Sequence, residues 1–416
     1  MIHQKFIAIL VTSLFLTVGC NLPSNKKTDM ADTNFIKGTL GYDYKFLKSH
    51  HNNLVLLQDT ITKAMVVICP NYQGRVMTSS ANGLEGHSNG WINYKLIESK
   101  IPTEHINAYG GEERFWLGPE GGQFSIYFTP GVKQEFKNWY VPAILDTLPF
   151  ELTNSSNIEA TFKAKVELIN FSNTRFDAEI ERTIKLLSLN ETAKMLGIEL
   201  TDGIKSVAYQ SQNILVNKGQ KEWTPESGML SIWMLSMLNP SPNVVIFIPF
   251  KEGSEKELGP IVNDDYFGKV PADRLNIKNG IIYFQADGKY RSKIGINPRR
   301  ANNWSGSYDT GRKALTLLYC ELPEGNTKYV NSKWEIQKDP FSGDAINAYN
   351  DGPVEDGSQM GPFYELESSS PAAQLKSGEK LTHKQTIFHL EGDEAQLSKI
   401  TQLIFGIELN EIKTAF

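Results

Sequence analysis

Residues 161–186 read TFKAKVELINFSNTRFDAEIERTIKL. Phe162, Ala164, Val166 and Leu168 alternate with Thr161, Lys163, Lys165 and Glu167. Successive side chains of a strand point to opposite faces, so one set faces a core and the other faces water. After Phe171-Ser172-Asn173-Thr174 the alternation resumes, with Ala178, Ile180, Ile184 and Leu186 against Glu179, Glu181, Thr183 and Lys185. The pattern predicts a long antiparallel hairpin, and strands of roughly ten residues suit a large sheet better than a small barrel. Arg182 falls on the apolar phase, between Ile180 and Ile184. An inward arginine needs either an ion-pair partner or a polar cleft to line, and both readings stay open.

Outward from the hairpin, further strands are expected at 53–58, 65–69, 75–78, 124–128, 230–236, 244–248, 281–284, 314–321, 363–368 and 382–390, separated by Gly-, Pro-, Asn- and Asp-rich loops. Helical signals are few. Asn89 is a possible cap for a short helix through Trp91, Tyr94 and Ile97, and Asp393 for a last helix with Leu397, Ile400, Leu403 and Ile404 on one face. Strands without βαβ alternation exclude doubly wound and TIM-barrel folds. No fixed repeat points to a propeller or solenoid. The fold class is therefore all-β, a large antiparallel two-sheet sandwich with few short helices. No linker interrupts residues 40–416, which are read as one domain.

The N-terminus reads as an address. Lys5 supplies a positive start, Phe6 to Val18 is apolar, and the run is shorter than the ~20 residues a spanning helix needs. It ends Leu16-Thr17-Val18-Gly19-Cys20, which resembles a bacterial lipobox with Thr17 where Leu is more usual. The resemblance implies cleavage after Gly19 and acylation of Cys20, with residues 1–19 a lipoprotein signal peptide and 20–39 a flexible tether. The domain would then be anchored in the bacterial cell envelope, facing the periplasm. An ordinary signal peptide with a chance cysteine is the alternative. Cys69 and Cys320 lie in apolar runs and read as buried free thiols. No CxxC or HxxxH spacing suggests a metal, no cofactor motif is present, and 42 basic against 47 acidic residues give a net charge of −5, which argues against a nucleic-acid surface.

Four polar clusters stand out. HINAYGGEERFWLGPEGGQ (105–123) holds His105, Glu112, Glu113, Arg114, Trp116 and Glu120, bracketed by Gly110, Gly111, Gly121 and Gly122. An aromatic ring beside carboxylates and arginine suits a sugar, whose apolar face stacks while its hydroxyls take charge-assisted hydrogen bonds. Glycine permits a close backbone approach to such a ligand. Asn297-Pro298-Arg299-Arg300-Ala301-Asn302-Asn303-Trp304 offers Arg299, Arg300 and Trp304 for the same purpose. In Val262-Asn263-Asp264-Asp265-Tyr266-Phe267-Gly268 the Asn-Asp-Asp run could offer oxygens to calcium, but it lacks the EF-hand spacing and reads first as an Asx turn. Glu365 and Glu367 share one strand face, where each would shift the other's pKa.

Gln73-Gly74-Arg75-Val76-Met77, the Gly-Gly-Glu-Glu-Arg-Phe-Trp loop, the Glu-Leu-Glu strand and the Leu-x-x-Gly-Glu turn before the last strand resemble the galactose-mutarotase-like supersandwich. The closest likeness is to an uncharacterised family of bacterial lipoproteins with that fold. The resemblance implies a concave carbohydrate-binding face and, by likeness to aldose 1-epimerases, a C-terminal Glu base with a His acid. Glu365 or Glu367 fits the first role. The epimerase-type His-Pro-Tyr motif is absent, leaving His105 as the histidine in a polar cluster. Glu113, His105, Glu365 and Glu367 are thus the expected acid–base set, and Arg114, Trp116, Arg182, Arg299, Arg300 and Trp304 the expected substrate contacts. The reaction is epimerase-, lyase- or hydrolase-like, and a non-catalytic glycan-binding lipoprotein is the alternative.

Overall fold

The structure, a computed structural model, describes residues 34–325 and 328–416. The signal peptide and lipidation site expected at 1–20 lie outside the described residues. Residues Phe35–Phe416 form one compact unit. Thr39, expected in the tether, instead caps the helix Leu40–His50 through its side-chain oxygen.

Eighteen strands follow among the described residues: β1 (Val55–Gln58), β2 (Met65–Cys69), β3 (Arg75–Ser80), β4 (Arg114–Gly118), β5 (Glu151–Ser155), β6 (Glu159–Ile169), β7 (Arg175–Leu186), β8 (Ile204–Asn217), β9 (Ser231–Leu235), β10 (Val244–Pro249), β11 (Leu275–Lys278), β12 (Ile281–Gln285), β13 (Ser292–Ile296), β14 (Trp304–Asp309), β15 (Ala314–Cys320), β16 (Ile346–Asn350), β17 (Tyr364–Ser369) and β18 (Lys380–Gly392). The expected hairpin is β6–β7, paired from Glu159–Lys185 to Ile169–Arg175. It belongs to a ten-stranded sheet in the order β11-β12-β10-β14-β15-β18-β8-β7-β6-β5. The second layer is β13-β16-β17-β9-β4, and an antiparallel bridge from Glu113 to Val76 links it to β3-β2-β1. All strand pairs within these sheets are antiparallel. Residues 124–128, expected as a strand, form a loop whose Phe128 makes a single bridge to Trp139.

Period-two alternation assembles the core. Phe115 and Leu117 of β4, Ile232 and Met234 of β9 and Leu366 of β17 pack with Phe162, Ile180, Ile184, Tyr209, Leu215 and Ile387 of the large sheet. The other face of the large sheet is covered by the helix Glu394–Phe405, capped by Asp393 as expected, and by Leu409–Lys413. Trp304 packs there, against Tyr319 and Phe388. Its ring is therefore on the opposite face of the large sheet from the interior, which corrects the expectation of a sugar contact. Cys69 and Cys320 are buried free thiols, and burial pushes both up to about 12.

One polar network interrupts this apolar interior. Arg182 of β7 donates to Glu113 Oε1 (2.6 Å), to Asn213 Oδ1 (2.7 Å) and to the Gly74 carbonyl (3.1 Å). Ser211 of β8 and Gln385 of β18 donate to Glu113 Oε2, at 3.0 and 2.9 Å. Gln385 Oε1 accepts from Ser368 of β17 (2.7 Å), which in turn sits 2.8 Å from His383 Nε2. Because the Ser368 proton goes to Gln385, His383 donates from Nε2, and burial lowers its pKa to about 4, keeping it neutral. Glu113 and Arg182 are both fully buried. The ion-pair reading of Arg182 therefore replaces the cleft reading, and Glu113, expected in the acid–base set, is instead a buried sheet-to-sheet contact.

Breaking a buried, hydrogen-bonded pair strands a charge and costs about 3–5 kcal/mol. Glu113→Gln and Arg182→Met should each lower stability by that order in urea denaturation. The Glu113→Gln/Arg182→Met double variant should lose clearly less than the two single losses combined. Additive losses would show that the two charges do not act as a pair.

Candidate functional site

The outward face of the five-stranded sheet follows from the same alternation. If Phe115, Ile232, Ala348 and Leu366 face the core, their neighbours face out. Arg114 and Trp116, Trp233 and Leu235, Asn347 and Tyr349, Lys293, and Glu365 indeed line one cleft of about 1400 Å³. Its walls come from the 118–139 excursion, the 258–267 loop, residues 297–299, the 330–335 loop and residues 351–363.

Glu365 and Glu367 stand two residues apart on β17, at the centre of this face. Arg114 Nη2 lies 2.5 Å from Glu365 Oε1, since β4 and β17 flank β9 and both pair with its Leu235 end. Glu367 Oε2 accepts from Lys293 Nζ and from Trp233 Nε1, both at 2.8 Å. Glu367 Oε1 is buried and receives no other donor. Burial raises the Glu365 carboxyl above the ordinary carboxylate range, and the neighbouring Glu367 adds to the rise, against the pull of Arg114 and Lys293.

A third acid shares the cleft. Glu120, half-buried with its backbone N–H on Ser332 Oγ, is raised to about 7 by burial and by Glu367, against Lys293, Arg291 and a hydrogen bond from Trp334. Burial also raises Asp344, which accepts from Tyr266 and Asn263 and feels Lys293. Lys293 is thus the cation common to Glu120, Asp344, Glu365 and Glu367. It lies 4.8 Å from the centre of the Trp233 ring and 5.6 Å from that of Tyr266.

The cleft gathers some of the expected residues and not others. Arg114, Trp116, Arg299 and Glu365 line it, and Glu367 is fully buried beneath, held by two cleft residues. Arg300 is corrected from a substrate contact to a scaffold residue. It is buried and its guanidinium donates to the carbonyls of Lys251, Gly253 and Gly259. His105 is half-buried, with Nδ1 donating to the Trp139 carbonyl (2.8 Å) and its ring packed on the cleft residue Phe136 (4.6 Å), and among the described residues no histidine itself lines the cleft. His389 is buried on Glu112 and His383 on Ser368. The glycines of 110–122 serve packing against the protein: a Cβ on Gly111 would meet Arg75 Cδ at 2.4 Å, and one on Gly121 the Lys333 carbonyl at 2.3 Å.

Sequence reading missed Lys293, Trp233 and Tyr266, and noted Glu120 without assigning it. Trp233 shares its phase with Leu235, an outward pair inside a predicted strand, which was the available signal. Lys293 sits in β13, whose five residues SKIGI are too short to show a period. Tyr266 belongs to the Asx-rich segment considered for calcium, where Asp264 is paired with Lys269 at 2.7 Å. Among the described residues no group of three or more His, Cys, Asp and Glu could hold a metal ion.

Residues 38–416 match a family of unknown function, DUF6786, and the chain belongs to that family. No curated protein matches it. Solved structures align over most of the chain. A candidate aldose 1-epimerase from Escherichia coli K12 is 10% identical with a TM-score of 0.48, covering 82% of this chain and 99% of its own. The Slr1438 protein from Synechocystis sp. PCC 6803 is 11% identical with a TM-score of 0.46, covering 82% and 96%. A galactose mutarotase-like protein from Lactobacillus casei is 10% identical with a TM-score of 0.44, covering 81% and 100%.

A carboxyl with a raised pKa keeps its proton in the folded chain at a pH where the unfolded chain has lost it. Stability is therefore full below the ordinary carboxylate pKa and falls as pH rises through the raised one. Denaturation midpoints followed from about pH 5 to about pH 9 should fall less steeply in Glu365→Gln and in Glu120→Gln than in the native chain. Slopes indistinguishable from native would show that these acids are not perturbed.

Proposed function

We propose that the cleft binds a carbohydrate and processes it by proton transfer among carboxyl groups. The observation that carries this reading is the Glu365–Glu367 pair, set between Arg114 and Lys293 on the floor of an aromatic cleft. A protonated Glu365 is a general acid at neutral pH, and Glu120, raised to about 7, is poised to take or return a proton. Arg114 and Lys293 compensate negative charge as it moves between these groups, and Trp116 and Trp233 give apolar faces for a pyranose ring. The chemistry is thus carboxyl with carboxyl, in place of the Glu and His first expected, because His105 does not line the cleft. Acylation at Cys20 would hold the domain on a membrane of the envelope, periplasm-facing, where glycans are the accessible polymers. Mass spectrometry of the mature N-terminus tests the anchor, and an unmodified peptide starting downstream of Cys20 would remove it.

The catalytic reading is tested by incubating the protein with a glycan panel, with product analysis and NMR of anomeric exchange as readouts. Removing a general acid of this kind costs about 10²–10⁴-fold in rate, so Glu365→Gln should lose turnover on that scale. Trp304→Ala, on the far face of the large sheet, should retain it. Turnover untouched by both Glu365→Gln and Glu120→Gln would reject the assignment, and glycan binding without product in the native chain would reduce the site to a binding one.

A further inference from the structure

The aromatic residues beside the carboxyl pair do not stop at the reacting centre. Trp233, which holds Glu367, meets Trp116 at 5.6 Å, and Trp116 meets Tyr127 at 5.6 Å. Tyr127 lies parallel to Trp139 (5.9 Å, 6°), and Trp139 lies nearly parallel to both Phe136 (6.1 Å, 23°) and Trp334 (5.8 Å, 24°). The series starts at the buried carboxylates and ends at Phe136, a cleft residue that is 59% exposed. Phe136 packs on His105 (4.6 Å), and together with half-buried Trp334 it presents a continuous aromatic surface to the cleft.

Polar groups accompany the rings. Trp116 Nε1 and Trp139 Nε1 are buried donors with no partner in the protein, and both residues line the cleft, 4% and 6% exposed. Neither N–H reaches the cleft surface, so the wall meets a ligand with ring faces, which match the C–H faces of a sugar chain. The cations close to Phe136 in sequence are already engaged: Lys133 and Lys137 flank Glu135 at 3.0 and 2.7 Å. Lys333, exposed beside Trp334, lines the same wall.

We infer that Phe136 and Trp334, backed by Trp139, form a distal subsite for a sugar chain whose terminal unit lies over Glu365 and Glu367. The inference rests on the carbohydrate reading above and adds that the ligand is an oligosaccharide, longer than one sugar. The subsite would take part in binding, not in proton transfer.

The test is tryptophan fluorescence titration of the folded chain with graded series, from mono- to hexasaccharide, of α- and β-1,4-linked glucose and β-1,4-linked mannose, together with oligogalacturonates as the anionic counterpart. Affinity for at least one series should rise with length. In Phe136→Ala the ratio of hexasaccharide to monosaccharide affinity should fall about tenfold, the scale of a lost aromatic contact. Trp334→Ala, at a half-buried position, should act in the same direction, and Phe136→Ala is safe for folding because its ring is largely exposed. Affinity independent of length in every series, or a length dependence unchanged in both variants, would overturn the subsite and leave the carbohydrate reading standing. No binding of any sugar by the native chain would overturn both.

Discussion

The buried pair of Glu113 and Arg182 fixes the phase of the strand that carries the site. Glu113 points between the sheets, where Arg182, Ser211 and Gln385 occupy both of its oxygens. Arg114, the next residue, must then point the other way, into the cleft, where it meets Glu365 at 2.5 Å. The same network reaches β17 through Gln385 and Ser368, so Ser368 faces inward and its neighbour Glu367 outward. A one-residue slip of either strand would bury an arginine or a glutamate among Phe162, Ile180 and Leu215. Two short strands of the small sheet thus hold their register against the large sheet through one carboxylate. An apolar pair of similar volume could give comparable stability, but it would not discriminate between the two phases so strongly.

That network also explains what the sequence did and did not disclose. The β6–β7 hairpin was legible because its outward face is charged and its inward face apolar, with Arg182 the one exception. The fourteen-residue strand β8, Ile204–Asn217, was not, although it is the longest in the fold. Its inward positions include Ser211 and Asn213, partners of Glu113 and Arg182, so polar residues stand on both faces and the alternation vanishes. Strands β4 and β16 are buried throughout, which likewise erases a period of two. A buried polar network is invisible to a rule that equates inside with apolar, and here it lies beneath the site.

For the site itself, composition pointed to the right neighbourhoods more often than to the right side chains. The cluster at 105–123 contains Arg114, Trp116 and Glu120, all in the cleft, but also Glu113, whose exclusion depends on a strand phase that only the partner sheet sets. Arg299 and Arg300 differ for a similar reason, since the second spends its guanidinium on three loop carbonyls while the first remains exposed at the cleft. Lys293 could not be anticipated from its surroundings in the chain. Its importance arises from distant carboxyls, Glu120, Asp344, Glu365 and Glu367, that the sheet brings around it. Burial of Glu120, Asp344 and Glu365 raises the cost of ionising them, and one lysine shared among several acids leaves room for a proton to reside in the cleft at neutral pH.

The account stands on the outward face of the five-stranded sheet being where ligand binds, with the Arg114–Glu365 contact at its centre. The most direct measurement is a crystal structure of the chain grown with a neutral oligosaccharide. The expected result is a sugar ring within hydrogen-bonding distance of Glu365 and Arg114. A sugar seated instead on the far face of the ten-stranded sheet, beside Trp304, with the cleft unengaged, would contradict it.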